Sequence, residues 1–162
     1  MKATGIVRRI DELGRVVIPK EIRRTQRIRR GDPLEIFTTG DGEVIFKKYS
    51  PIGELQGVAV QYAEVLSKCF ALTAFVADRS ISQPLEKLME SRKPYLRQDA
   101  EQTVLPCEGS PRMLLCAFPI IAAGDVAGAV GLLTEDRSAK PDASQQKAVA
   151  VAAAFLAKQM EE

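Results

Sequence analysis

The chain has 162 residues, 46% hydrophobic and 27% charged, with 23 Lys and Arg against 21 Asp and Glu for a net charge of +2. That length suits one ordinary domain plus a small one, and the absence of histidine excludes imidazole-based metal sites, Ser-His-Asp triads and histidine pH switches. Cys69, Cys107 and Cys116 form no CxxC pair and are odd in number, so buried, reduced thiols in apolar stretches are expected.

Residues 1–50 hold twelve Lys and Arg against seven Asp and Glu, a balance of +5, whereas residues 51–162 hold the remaining eleven against fourteen, a balance of −3. A cationic module joined to a mildly anionic one fits a nucleic-acid binder whose second half has another task. No run approaches the roughly 18 apolar residues of a membrane span, and no signal peptide opens the chain. A soluble, cytoplasmic protein is expected.

In chain order, Thr4–Ile10 alternates imperfectly and reads as a strand, followed by a turn at Asp11-Glu12-Leu13-Gly14. Arg15–Ile18 is a second short strand rich in β-branched residues. Pro19 and Glu21 suit the amino end of a helix over Lys20–Arg27, with Ile22 as its inward anchor and Gly31 as its terminator. Pro33–Phe37 and Glu43–Phe46 flank Thr39-Gly40-Asp41-Gly42, a hairpin signal. Four short strands and one short helix bury too little surface for a secure monomer, and their free edges invite pairing. An obligate dimer, with interleaved hairpins, answers both problems.

The run from Lys2 to Thr25, centred on Leu13-Gly-Arg-Val-Val-Ile-Pro-Lys-Glu-Ile-Arg-Arg24, resembles the DNA-binding domain of the AbrB/SpoVT transition-state regulators, and Asp32–Phe37 and Glu43–Tyr49 extend the likeness to residue 50. The resemblance implies a swapped-hairpin, dimeric all-β barrel with one short helix. It also implies DNA contacts from Arg8, Arg15, Arg23 and Arg24. Lys2, Arg9 and Lys20 are candidates for phosphate contacts that position without specifying sequence. Arg27, Arg29 and Arg30 are better read as solvating the helix end.

Ser50-Pro-Ile-Gly-Glu54 marks a boundary, giving a DNA-binding domain at 1–50, a linker at 51–53 and a second domain at 54–162. In the second part Leu55, Val58, Ala59, Tyr62, Leu66 and Cys69 recur at helical spacing over Glu54–Cys69. A buried strand at Leu72–Ala77, a helix at Pro84–Ser91 and a short strand at Pro94–Arg97 follow. Arg112–Ile121 and Val126–Thr134 flank Ala122–Asp125 as a central hairpin covered on both faces. Asp142 caps a last helix whose inward stripe is read as Ala148, Val151, Ala152, Phe155, Leu156 and Gln159.

This half resembles the GAF-like domain of the SpoVT branch, through Pro119-Ile120, Gly124-Asp125, Gly128-Ala-Val130 and Ala154–Glu161. The resemblance implies an α+β domain with an antiparallel sheet of order 2-1-5-4-3. After Asp78-Arg79 the chain enters Pro84 almost directly, so the edge strand that relatives carry there is missing. A role in oligomerisation, joining dimers into tetramers, is favoured over small-molecule sensing, with an unknown effector left open. No cofactor, metal or catalytic group is expected, Asp78 and Asp99 being strand-end solvation. The function implied is a nucleoid-associated, DNA-binding transcription regulator of sporulation or transition-state genes. The alternative is an antitoxin-like protein with an AbrB/MazE-type DNA-binding domain and a toxin-binding carboxy-terminal part.

Overall fold

The structure is a computed structural model that describes residues 4–79, 82–98 and 103–161. Lys2 and Asp99 therefore lie outside the described residues. Contacts divide the chain into two compact units, Met1–Tyr49 and Ser50–Glu162.

The first unit contains α1 (Lys20–Thr25) and a hairpin of β1 (Leu34–Thr38) and β2 (Val44–Lys48). Ile36 pairs with Phe46 and Thr38 with Val44. The Thr39 N–H bonds the Glu43 carbonyl at 3.0 Å, which closes the turn with Gly42 at a φ of +82°. Two expected strands are not formed. Residues 4–10 and 15–18 carry no ladder, and Gly5 at a φ of +69° interrupts the first run. The physical reason is that a strand needs a neighbour to satisfy its N–H and C=O groups, and within 4–18 only the turn at 11–15 supplies main-chain bonds. The helix is also shorter than expected. It ends at Thr25, and Arg27 already takes the left-handed conformation at a φ of +53°, four residues before Gly31, itself at a φ of +87°. The Ile28 N–H reaches back to the Arg23 carbonyl at 2.7 Å. The Arg27 carbonyl accepts from Lys48 Nζ, which also pairs with Asp32 at 3.0 Å, so α1 is fastened to β2.

This unit has almost no interior. Pro19 is its one buried residue among those described, while Ile6, Val7, Ile10, Leu13, Val16, Val17, Ile36, Phe37, Val44 and Phe46 are all exposed. Ile22 is only half-buried.

The second unit is a mixed α/β domain with an antiparallel sheet, as expected. Its elements are α2 (Pro51–Glu54), α3 (Gln56–Phe70), β3 (Thr73–Asp78), α4 (Gln83–Glu90), β4 (Tyr95–Leu96), β5 (Met113–Ala122), β6 (Asp125–Thr134) and α5 (Ala143–Gln159). The expected linker at 51–53 lies within α2, where Ser50 accepts from the Gly53 N–H and Pro51 occupies the first turn. The sheet order is β3-β6-β5-β4. On one face Ile52, Ala59 and Leu66 join Val149, Ala152, Ala153 and Leu156 over Leu115, Cys116, Ile120, Val130 and Leu132. On the other, Leu85 and Met89 of α4 cover Ala77, Leu114, Ala117 and Ala129. The register shift between Leu114 and Cys116 lets Leu115 and Cys116 enter the same core. Gly128 is required by close approach, since a Cβ there would lie 2.2 Å from the Ala77 carbonyl oxygen.

The cap on α5 is the expected one. Asp142 accepts from the Gln145 N–H at 2.8 Å, and the Gln145 side chain accepts from the Asp142 N–H at 2.9 Å. The inward face differs: Val149, Ala152, Ala153 and Leu156 are buried, whereas Val151 and Phe155 are exposed. Alanine surrounds this helix, so the sequence carries little asymmetry with which to fix its rotation. One buried residue was not anticipated. Arg97 is 2% exposed, donates to the carbonyls of Asp136 and Arg137, and its Nε has no partner among the described residues. It ties the end of β4 to the loop before α5.

The expectation of three buried thiols is corrected for two of them: Cys69 and Cys107 are exposed and only Cys116 is buried. Cys69 sits on the outer side of α3 near its end, and Cys107 in a turn beyond the core. Burial pushes the Cys116 thiol up to about 11. Thiol titration of the native protein at pH 8 is therefore expected to find two rapidly reacting groups, with the third appearing only in denaturant. Rapid native reaction of Cys116 would contradict the placement of β5 in the core.

Candidate nucleic-acid interface

The basic side chains of the first unit are set on two local frames. On α1, Lys20, Arg23 and Arg24 stand at i, i+3 and i+4, so they share one face across a single turn. All three are exposed, and no side-chain hydrogen bond or ion pair engages them among the described residues. Glu21, in the first turn, complements the helix dipole instead of these side chains. Arg8 and Arg9 are likewise exposed and unpaired among the described residues, on the segment without a ladder.

Arg15 is different. Its Nε donates to Asp11 Oδ2 at 2.8 Å, and its main-chain N–H donates to Asp11 Oδ1 at 2.8 Å. The Leu13 N–H shares Oδ1 at 3.0 Å. The Asp11 main chain completes the turn, donating to the Arg15 carbonyl and accepting from the Gly14 N–H at 2.9 Å. Gly14 takes a φ of +73°, the conformation expected of it at this turn. The sequence reading saw the turn but missed that its aspartate holds an arginine. The i, i+4 spacing of an acid and a base around a Gly turn was the available signal.

Six of the seven sequence candidates thus lie in the described residues, all exposed: Lys20, Arg23 and Arg24 together on α1, Arg15 at the turn, and Arg8 and Arg9 joined to neither group by a hydrogen bond or ion pair. Lys47, by contrast, lies over the Phe37 ring at 4.7 Å. Arranged this way, free guanidinium groups can fork onto phosphate oxygens or a guanine edge. No helix among the described residues is long and apolar enough to cross a membrane, and no group of acidic and thiol side chains among them converges to hold a metal ion.

In the second unit the space between α4 and the sheet is filled. A cavity of about 10 Å³ lined by Leu85, Leu88, Met89, Tyr95 and Phe118 remains there, room for no more than a water. Two open grooves, of about 300 and 400 Å³, flank Val76 with Asp78 and Arg97 with Lys140.

Two family models match separate parts of the chain. Residues 76–161 match the family model for the stage V sporulation protein T C-terminal, transcription factor. Residues 7–54 match the model for antidote-toxin recognition MazE, bacterial antitoxin. Stage V sporulation protein T of Bacillus subtilis is 47% identical over 180 aligned positions that cover all of both chains. The transition state regulatory protein AbrB of the same organism is 61% identical over 51 residues, 32% of this chain and 52% of that one. The solution structure of the N-terminal DNA recognition domain of AbrB is 59% identical, covers 32% of this chain and 94% of its own, and has a TM-score of 0.27. The chain belongs to the stage V sporulation protein T family.

The Asp11 carboxyl is held below its ordinary 3.8, first by the Arg15 main-chain N–H and then by the Arg15 side chain. A depressed carboxyl pKa means the turn is fully stabilised above that ordinary value and loses this contribution only as the pH falls through the lowered one. Carbon-13 titration of Asp11 is expected to show a midpoint below 3.8. Arg15→Ala should raise that midpoint without restoring it, because the larger cause is a main-chain bond the substitution leaves in place. A midpoint at 3.8 in the native chain would contradict the turn geometry.

Proposed function

We propose that this member of the stage V sporulation protein T family is a homo-oligomeric, sequence-selective DNA-binding regulator of sporulation or transition-state genes, working in the cytoplasm at the nucleoid. The observation that carries the reading is the display of Arg8, Arg15, Arg23 and Arg24, all exposed, on a unit whose apolar side chains are also exposed. Charge alone gives affinity for any duplex. An arginine whose orientation is fixed adds base discrimination. The names of the AbrB relatives, a transition-state regulator and a DNA recognition domain, support DNA as the partner.

In this reading the second copy supplies what the first unit lacks. Residues 4–10 and 15–18 of one chain pair with the hairpin of another, closing a swapped barrel that buries the ten exposed apolar side chains. Residues 1–50 are then the DNA-binding domain and 54–162 a GAF-like domain. The order β3-β6-β5-β4 fits the GAF order with its first edge strand absent. Assembly is favoured over sensing for this domain because the space under α4 is filled and the two wider grooves are open ones, whereas α3 and α5 expose apolar side chains. Exposed Val60 and Val65 on α3, with Val151 and Phe155 on α5, offer an apolar surface for joining dimers into tetramers. The match of residues 7–54 to the antitoxin model covers only the DNA-binding part. A toxin-binding tail is disfavoured by the folded core of the second unit and by the full-length sporulation relative.

The test is titration of duplex DNA with the full chain and four alanine variants. Arg8→Ala, Arg15→Ala, Arg23→Ala and Arg24→Ala are each expected to weaken binding by roughly 1–3 kcal/mol, or about 5- to 150-fold. Binding undiminished in all four would sink the assignment. For assembly, Val151→Glu with Phe155→Glu is expected to convert tetramers to dimers by light scattering, with secondary structure retained. An unchanged mass would remove α5 from the interface.

A further inference from the structure

We infer that Asp11 positions Arg15 and sharpens the discrimination between specific and non-specific DNA. This inference rests on the reading of Arg15 as a DNA contact.

The geometry is particular to this pair. Two side-chain oxygens of Asp11 take three N–H groups: those of the Leu13 and Arg15 main chain and Arg15 Nε. The carboxylate therefore shapes the turn and fixes one edge of the guanidinium in the same act. Arg15 Nη1 and Nη2 keep no partner among the described residues, and the side chain stays 70% exposed. The end-on edge formed by Nη1 and Nη2 is a different edge of the guanidinium from the one on which Nε donates to Asp11, and it can fork onto guanine O6 and N7 or onto a phosphate. No carboxylate engages Arg8, Arg9, Arg23 or Arg24 among the described residues, so Arg15 is the one candidate contact held in this way.

Two consequences push discrimination in the same direction. An arginine side chain carries about 2 kcal/mol of rotamer entropy. Part of that cost is already met in the free protein by the bond to Asp11, which favours a contact demanding one fixed orientation. Meanwhile the carboxylate stands next to the DNA-facing side chain and repels phosphate. Loose, charge-driven binding suffers from that repulsion without the compensation of a base contact. Such an exposed pair adds little to folding stability, so its value lies in recognition. The depressed carboxyl pKa keeps Asp11 anionic throughout the neutral range.

The test compares two duplexes of equal length for the full chain: the sequence that the wild type enriches from a randomised pool, and a random-sequence control. Asp11→Asn retains an oxygen for the Leu13 and Arg15 N–H groups but loses the charge that holds Nε. It is expected to raise affinity for the control and to lower the specific-to-control ratio about fivefold, a coupling within the range seen for contacting residues. Added to Arg15→Ala, it should lower the ratio by clearly less than fivefold, because only the repulsion of phosphate is then left to lose. Asp11→Ser, which keeps a hydroxyl acceptor in the turn, repeats the measurement should the asparagine variant prove misfolded by circular dichroism. A ratio unchanged in Asp11→Asn, alongside a ratio reduced in Arg15→Ala, overturns the inference and leaves Arg15 as a DNA contact. An equal loss in the Arg15→Ala background also overturns it. A ratio unaffected by Arg15→Ala removes Arg15 from the interface, and the positioning role falls with it.

Discussion

A chain segment that exposes Ile6, Val7, Ile10, Val16, Val17, Ile36, Val44 and Phe46 while burying, among its described residues, a single proline gains almost nothing from the hydrophobic effect. At about 25 cal/mol per Å² of apolar surface removed from water, that gain is what offsets the chain entropy of ordering it. The hairpin, the short helix and the Lys48–Asp32 pair give the first unit a shape, but they do not give it an interior. Its dependence on further buried surface therefore precedes any question of DNA. Under the proposed assembly, one event closes the core and doubles the number of displayed arginines, so folding and recognition share a single requirement.

The second unit has the opposite economy of surface. Its β5–β6 hairpin is apolar along nearly its whole length because α3 and α5 cover one side and α4 the other. The same two-sided packing explains the small residues of β6. Gly128 lets the strand approach Ala77 and Ile52, and Gly131 lies where a Cβ would meet the Cys116 carbonyl oxygen at 2.5 Å. Arg97 is the exception in this interior. Its guanidinium is buried against the main-chain carbonyls of Asp136 and Arg137, an arrangement that costs solvation and in return ties down the loop leading into α5.

Much of this was legible in the sequence, for reasons that differ by element. Both hairpins announced themselves through glycine-containing turns between apolar runs, and Asp142 announced the start of α5 as its cap. What the sequence did not carry was direction. The rotation of α5 eluded the reading because alanines place apolar surface on every side, and only packing against β5 selects Val149 and Leu156 over Val151 and Phe155. Cys69 followed the helical period of α3 yet lies outside its covered stripe. The strands expected at 4–10 and 15–18 were read from correct local preferences, but a ladder is a property of two strands, not of one. Arg27 was hidden for a related reason: left-handed φ is cheap for glycine, so Gly31, which does adopt it, drew the assignment of the helix end, while Arg27 adopts it four residues earlier with its carbonyl bound by Lys48. In the interface, the basic residues were visible as charge, and the role of Asp11 was not, because an aspartate before Gly14 is sufficiently explained by the turn itself.

The two units also bear on one another through number. A single barrel built from two chains would present each arginine twice, and non-specific attraction to phosphates would grow with every cation presented. Joining barrels through the second unit would raise the total affinity again by making the next contact intramolecular, with gains of roughly 10²–10⁴ that need no new side-chain contact. Affinity gained that way falls on every sequence alike unless each barrel discriminates on its own. The more strongly the carboxy-terminal unit multiplies binding, the more the recognition surface needs an element that penalises the wrong duplex. Within the first unit the carboxylate of Asp11, bound to the side of the Arg15 guanidinium, would be that element under the proposed reading.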